Sequence, residues 1–100
     1  MGTFHTGKGE LHGITVVVDT TGPRVHVGRC ETVTEDGVKL LDADVHEEGP
    51  GRPSKDEYLR QAARLGVWKR YDDLLVPAAE VASVRRLGDL GTASQIVERP

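Results

Sequence analysis

Residues 14–46, ITVVVDTTGPRVHVGRCETVTEDGVKLLDADVH, hold three strand-like runs separated by two tight turns. In the first turn, Thr20-Thr21-Gly22-Pro23, glycine is expected to take a positive φ and proline has no N–H to offer a ladder, so the first run must reverse there. The second, Thr34-Glu35-Asp36-Gly37, contains an Asp-Gly pair, a strong hairpin signal between apolar runs. Alternation places Ile14, Val16 and Val18 on one face of the first run and Val25 and Val27 on one face of the second. Thr15 and Asp19 turn outward. The second run extends to about Val33, and Gly28 in its middle is the natural place for a bend or bulge.

Working outward, residues 1–12 have no helical or strand periodicity and read as a flexible arm. Gly7-Lys8-Gly9 does not make a phosphate loop, because the required second glycine and the Ser or Thr after the lysine are missing. After the third run, Glu47-Glu48-Gly49-Pro50-Gly51-Arg52-Pro53 is too rich in glycine and proline for regular structure. Ser54-Lys55-Asp56-Glu57 then matches a capping box and predicts a helix over about 54–66. Leu59, Ala62, Ala63 and Gly66 recur at helical spacing along one narrow apolar face, with Gly66 as its C-terminal cap. Two short strands are expected around Leu74-Leu75-Val76 and over 81–87, joined by the turn Pro77-Ala78-Ala79-Glu80. Val76, Val81, Val84 and Leu87 are their apolar anchors. Residues 89–100 read as a flexible tail.

The composition bounds the class. One hundred residues suit a single domain, large enough to bury roughly two-thirds of its unfolded surface. A single cysteine, Cys30, allows no intrachain disulfide and fits a reducing cytoplasm. No apolar run approaches the roughly 20 residues of a membrane span. The formal charge of -3 argues against non-specific coating of nucleic acid, which rests on neutralised phosphates, but leaves room for a local basic patch.

A bent three-strand meander, a variable insertion and two short strands joined by a tight turn resemble the Sm-like superfamily of small barrels. The resemblance covers residues 14–46 and 72–88, and Gly28 stands where that family has its bend glycine. It implies a mainly β, five-stranded SH3-like or Sm-like open barrel over 13–88, with an insertion at 47–67 that carries the helix. It further implies a homo-oligomer formed through strand edges, and an RNA-binding role. Thr34 and Gly37 occupy the positions of the family's RNA-reading acid and asparagine, and Pro77 and Ala78 replace its arginine and glycine. Any RNA or nucleotide site is therefore a non-standard one.

Trp68, Lys69, Arg70, Arg85 and Arg86 are the candidates for such a site, an aromatic ring for stacking a base with cations around it. The competing reading of Trp68 is packing, a ring that pins the helix to the barrel. Basic side chains in this half of the chain also read as an ordinary solvated surface. His5, His12, His26, His46 and Cys30 contain no pair of metal ligands at a recognised short spacing, and no metal or other cofactor is expected. Nor does any nucleophile, base and orienting group recur in a recognisable arrangement, so no catalytic residue is assigned. A bulge at Gly28 is expected to break the parity that would put His26 and Cys30 on one face. Asp42 and Asp44, two apart, read as a carboxylate pair, a solvent face or partners for arginines. Two functions follow: an oligomeric Sm-like module that binds RNA or a nucleotide, or a structural adaptor that works by self-association and protein binding.

Overall fold

The computed structural model describes residues 11–90. The Gly7-Lys8-Gly9 segment, His5, and most of the expected arm and tail lie outside those residues. Five strands, β1 (Thr15–Thr20), β2 (Arg24–Thr34), β3 (Gly37–Glu47), β4 (Tyr71–Pro77) and β5 (Val81–Arg86), form one antiparallel sheet in the order β4-β3-β2-β1-β5. The sheet does not close, in keeping with an open barrel. Helix α1 (Lys55–Leu65) lies between β3 and β4, and a 3-10 turn, Ala78–Glu80, joins β4 to β5. Among the described residues, no helix is long and apolar enough to cross a membrane.

Both hairpin turns fall at the expected residues, but Gly22 does not take the expected positive φ, and of the two turn glycines Gly37 alone does. At the second, Gly37 has φ 144°, and a Cβ there would fall on the Val76 carbonyl oxygen, so the Asp-Gly pair answers both the turn and the crossing strand. The first turn is held by Thr20, whose hydroxyl donates to the Arg24 carbonyl. The 3-10 turn ties the ends of the sheet together at this level. The Ala78 N–H donates to the Asp36 carbonyl at 2.9 Å, and the Thr21 N–H donates to that of Glu80 at 3.2 Å.

Gly28 sits at a bulge, but the extra residue belongs to the partner strand. Val27 pairs with Asp44 and Arg29 with Leu41, so β3 carries one more residue across this step than β2. The surplus is absorbed at Asp42, which adopts φ 51°, a left-handed conformation that Asp tolerates better than most residues. Against β1 the register runs unbroken, with Gly28 opposite Val16 and His26 opposite Val18. His26 and Gly28 therefore keep strand parity, and Cys30 packs in the same cluster as Val16 and Val18. The expected loss of parity between His26 and Cys30 does not occur, because the irregularity was absorbed by β3.

The sheet is buried on both sides. Val16 and Val18 join Cys30, Val33, Val38, Leu40, Ala43 and Val76 in the barrel interior, with Ile14, Val81 and Val84 packed at its margin. Val17, Val25 and Val27 face the other way and meet Leu59 and Ala62 of α1 and Leu87. Val16, Val17 and Val18 consequently have no solvent exposure at all. Leu87 was expected to end the last strand. It instead opens a helical segment, residues 87–90, whose apolar side chains Leu87 and Leu90 pack on this second cluster. At the other end Leu11, assigned above to the arm, packs against the interior, and the Gly13 N–H donates to the Cys30 carbonyl at 2.8 Å.

Helix α1 is started by the predicted capping box. Ser54 Oγ accepts from the Glu57 N–H, and the Glu57 carboxylate accepts from the Ser54 N–H at 2.9 Å. Its first turn is anchored to the sheet by Lys55, whose ammonium donates to Asp19 Oδ1 at 2.7 Å and to the Gly22 carbonyl at 2.7 Å. With its side chain only 17% exposed, this pair is better shielded than an ordinary surface ion pair.

A Cβ at Gly28 would lie 2.9 Å from Ala43 Cβ and 3.0 Å from Ala43 Cα, too close without backbone movement. Gly28→Ala is therefore expected to lower unfolding free energy by about 1–3 kcal/mol through overpacking. Gly22→Ala, whose Cβ meets nothing within 4 Å, is the control and should be close to neutral. Urea melts with equal midpoints for the two variants would contradict this account of the bulge.

Candidate functional site

The five nominated residues come from two separate segments of the chain. Trp68, Lys69 and Arg70 lie in the segment between α1 and β4, whereas Arg85 and Arg86 end β5, at the opposite edge in the strand order. Arg85 pairs with Val17 and Arg86 with Val16, and those two valines point to opposite faces, so the two guanidinium groups diverge. Arg70 is tied down at both ends. Its N–H donates to the Ala43 carbonyl at 3.0 Å, and its Nε lies 3.2 Å from Asp44 Oδ1.

Trp68 does not pin the helix. It is 74% exposed, and the helix is held instead by Leu59, Ala62 and the Lys55 anchor. Leu65, Tyr71 and Leu75 are exposed as well. This stretch from the end of α1 into β4 thus carries four large apolar side chains that the core does not use.

Asp42 and Asp44 prove to be arginine partners, and the bulge separates their surroundings. Asp42 pairs with Arg29 at 3.1 Å in a partly exposed position. Asp44 is 2% exposed, which overturns the solvent-face reading for it. Its Oδ2 accepts the Tyr58 hydroxyl at 2.7 Å. The Tyr58 ring stacks on His46, with centroids 4.5 Å apart and planes 7° from parallel, and His46 Nε2 is 2.8 Å from the Pro53 carbonyl. Burial, reinforced by the bond to Asp44 and its charge, pushes the Tyr58 phenol well above its usual range and keeps it a hydrogen-bond donor.

This cluster was not singled out in the sequence, although a trace was there. Asp44 shares outward parity with Val25 and Val27, and Tyr58 precedes Ala62 by one helical turn. What was missing is where the helix lands.

Two hollows flank the helix. A shallow groove of about 370 Å³ runs beside its C-terminal half, between Thr15, Arg29 and Asp42 of the sheet and Ala63, Lys69 and Leu87. A smaller cavity of about 70 Å³ is lined by Asp44, Tyr58, Gln61, Leu65, Gly66 and Trp68.

The remaining candidate chemistry is buried. Cys30 is 1% exposed, and burial, helped by Glu31, pushes its thiol up, so it is neither ionised nor accessible at neutral pH. No group of three or more His, Cys, Asp or Glu side chains suited to a metal ion occurs among the described residues. His26 is 7% exposed, and its Nδ1 has no hydrogen-bond partner among the described residues. Burial lowers its pKa, outweighing the opposing effects of the Val18 backbone and Glu80, while Arg24 adds to the lowering.

No protein-family model matches the sequence, and no curated protein matches it at a significant level.

Two measurements follow from these environments. Because His26 in the folded chain titrates below its ordinary value of 6.5, the unfolded chain binds its proton first on acidification. Its stabilising effect is complete above about pH 6.5 and falls as the pH drops towards the folded value, by at most about 1.4 kcal/mol per pH unit. Urea midpoints between pH 5 and 7 should fall less steeply for His26→Gln than for the parent; parallel slopes would refute the assignment. Tyr58→Phe leaves a buried carboxylate oxygen without its donor and should cost about 1–3 kcal/mol in the same assay. A loss below about 0.5 kcal/mol would show that the bond has little net value.

Proposed function

We propose that this chain is a self-associating small-barrel module whose copies join edge to edge through β4 and β5. The observation that carries the reading is the charge of the two terminal strands. Among the described residues, neither β4 nor β5 has a strand on its outer side. An unpaired edge leaves a row of N–H and carbonyl groups ready for another strand. Asp72 and Asp73 are exposed on β4, Arg85 and Arg86 are exposed on β5, and none of the four has an ion-pair partner among the described residues.

Pairing β4 with β4, or β5 with β5, would set like charges against each other, which cross-strand energetics disfavour. Pairing β4 of one copy with β5 of the next matches acid with base. A head-to-tail contact of this kind generates a ring when the rotation closes. Exposed Tyr71 and Leu75 on β4 add apolar surface that such a contact would cover. The Sm-like resemblance is supported by the strand order, by the bulge at Gly28 and by the helix in the third connection. In this reading Arg85 and Arg86 serve assembly.

Light scattering on the purified chain should give a defined multimer that dissociates as salt screens the edge charges. The double variant Asp72→Lys/Asp73→Lys should be monomeric, as should Arg85→Glu/Arg86→Glu. Mixing the two variants restores opposite charges at each contact and should restore assembly. A parent chain that stays strictly monomeric, or an assembly indifferent to these reversals, would defeat the proposal.

A second reading, RNA or nucleotide binding, is favoured by one observation, the exposed Trp68 ring beside exposed Lys69. Fluorescence anisotropy with short oligouridine and oligoadenine should then show salt-sensitive binding in roughly the micromolar range. Absence of a saturable signal at roughly tens of micromolar protein would remove this reading.

A further inference from the structure

The Asp44 carboxylate is a buried anion whose needs are only half met. Oδ2 accepts from Tyr58, but Oδ1 is buried with no hydrogen-bond donor among the described residues. The nearest cation, Arg70 Nε at 3.2 Å, lies at ion-pair distance without its N–H aligned on the oxygen, and the Arg70 side chain is 63% exposed. A buried carboxylate is thus balanced by a cation that remains largely in water, on the segment between α1 and β4. An anion removed from solvent favours a partner that also supplies aligned N–H donors.

A small cavity opens beside it. Asp44 and Tyr58 line it together with Gln61, Leu65 and Trp68. At about 70 Å³ it holds a compact head group and not a drug-sized ligand, whose pockets begin near roughly 300 Å³. Trp68 and Leu65, among the most exposed large apolar side chains described, form part of the wall. An anion would be repelled by Asp44, and an apolar group would leave Oδ1 without a donor. A planar cation with several N–H groups and weakly hydrated faces meets both demands: it can donate to the carboxylate and to Gln61 while its face lies against indole.

We propose that this cavity receives the guanidinium group of an arginine from a partner protein, which replaces Arg70 at Asp44. Arg70 is then the resident cation that keeps Asp44 neutralised while the cavity is empty, and its exposure makes it displaceable. The net charge of -3 favours approach of a basic segment. The proposal does not depend on edge-to-edge assembly, since the cavity is formed within one copy.

Trp68 is the single tryptophan, so its fluorescence reports on the cavity directly. N-acetyl-arginine amide should produce a saturable change in emission. Binding to Arg70→Gln should be roughly two- to five-fold tighter than to the parent, the size expected for removing a largely exposed competing ion pair. N-acetyl-citrulline amide, similar in shape but uncharged, should give no saturable change, and Asp44→Asn should abolish the arginine response. Because Asp44 is buried, amide chemical shifts of Ala62 and Gly66 in the parent chain supply a readout independent of that variant's folding, and they should move with arginine and not with citrulline. The proposal is overturned if Arg70→Gln shows no saturable response, if it binds no tighter than the parent, or if citrulline matches arginine.

Discussion

Burial of Val16-Val17-Val18 on both faces of β1 is the constraint on which the rest of the structure depends. Three successive β-branched residues cannot alternate between core and solvent; whichever face is chosen, an apolar side chain is left over. Curling of the sheet covers Val16 and Val18, and α1 with the helical start at Leu87 covers Val17. Full burial of a valine contributes about 1.5–3 kcal/mol, so leaving the second face open would forgo a sizeable part of a small domain's stability. The inserted helix is therefore a second wall of the core, and the Lys55 anchor to Asp19 and Gly22 sets where it begins.

Tight packing between β2 and β3 then dictates the bulge. Gly28 brings backbone close to Ala43 and Leu40, leaving no room for a side chain on β2, and β3 takes up the extra residue at Asp42. That displacement turns Asp42 towards Arg29 at a partly open position and leaves Asp44 in register with Val27, under the helix. A carboxylate in such a place requires partners, and Tyr58 comes from α1 and Arg70 from the segment that leads into β4. The cluster of polar groups at the helix is thus a consequence of how the sheet accommodates one surplus residue.

The outer margins of the sheet follow a different logic. β4 and β5 are short and carry charge on their exposed residues, as edge strands commonly do to avoid indiscriminate pairing. Here the charges are opposite in sign on the two edges, which discourages pairing of like edges and permits pairing of unlike ones. Tyr71 and Leu75 of β4, and Leu65 and Trp68 in the stretch that leads to it, remain exposed. In the proposed edge-to-edge assembly this apolar surface is covered by the neighbouring copy.

What could be read from the chain alone was whatever local stereochemistry decides. The two turns, the three-strand meander, the glycine at the bulge and the Ser54 capping box each depend on residues within a few positions of one another, and each lies where the sequence placed it. Only the tertiary structure decided that Val17 is covered, that Asp44 is buried, that His26 and Cys30 keep one parity, and that Trp68 is left in solvent. Those outcomes depend on contacts between segments distant in sequence: Asp44 meets Tyr58 fourteen residues away, and Lys55 reaches Asp19 across thirty-six. A side chain's type and spacing state what it can do; which neighbour arrives to use it is set by the packing of the whole sheet.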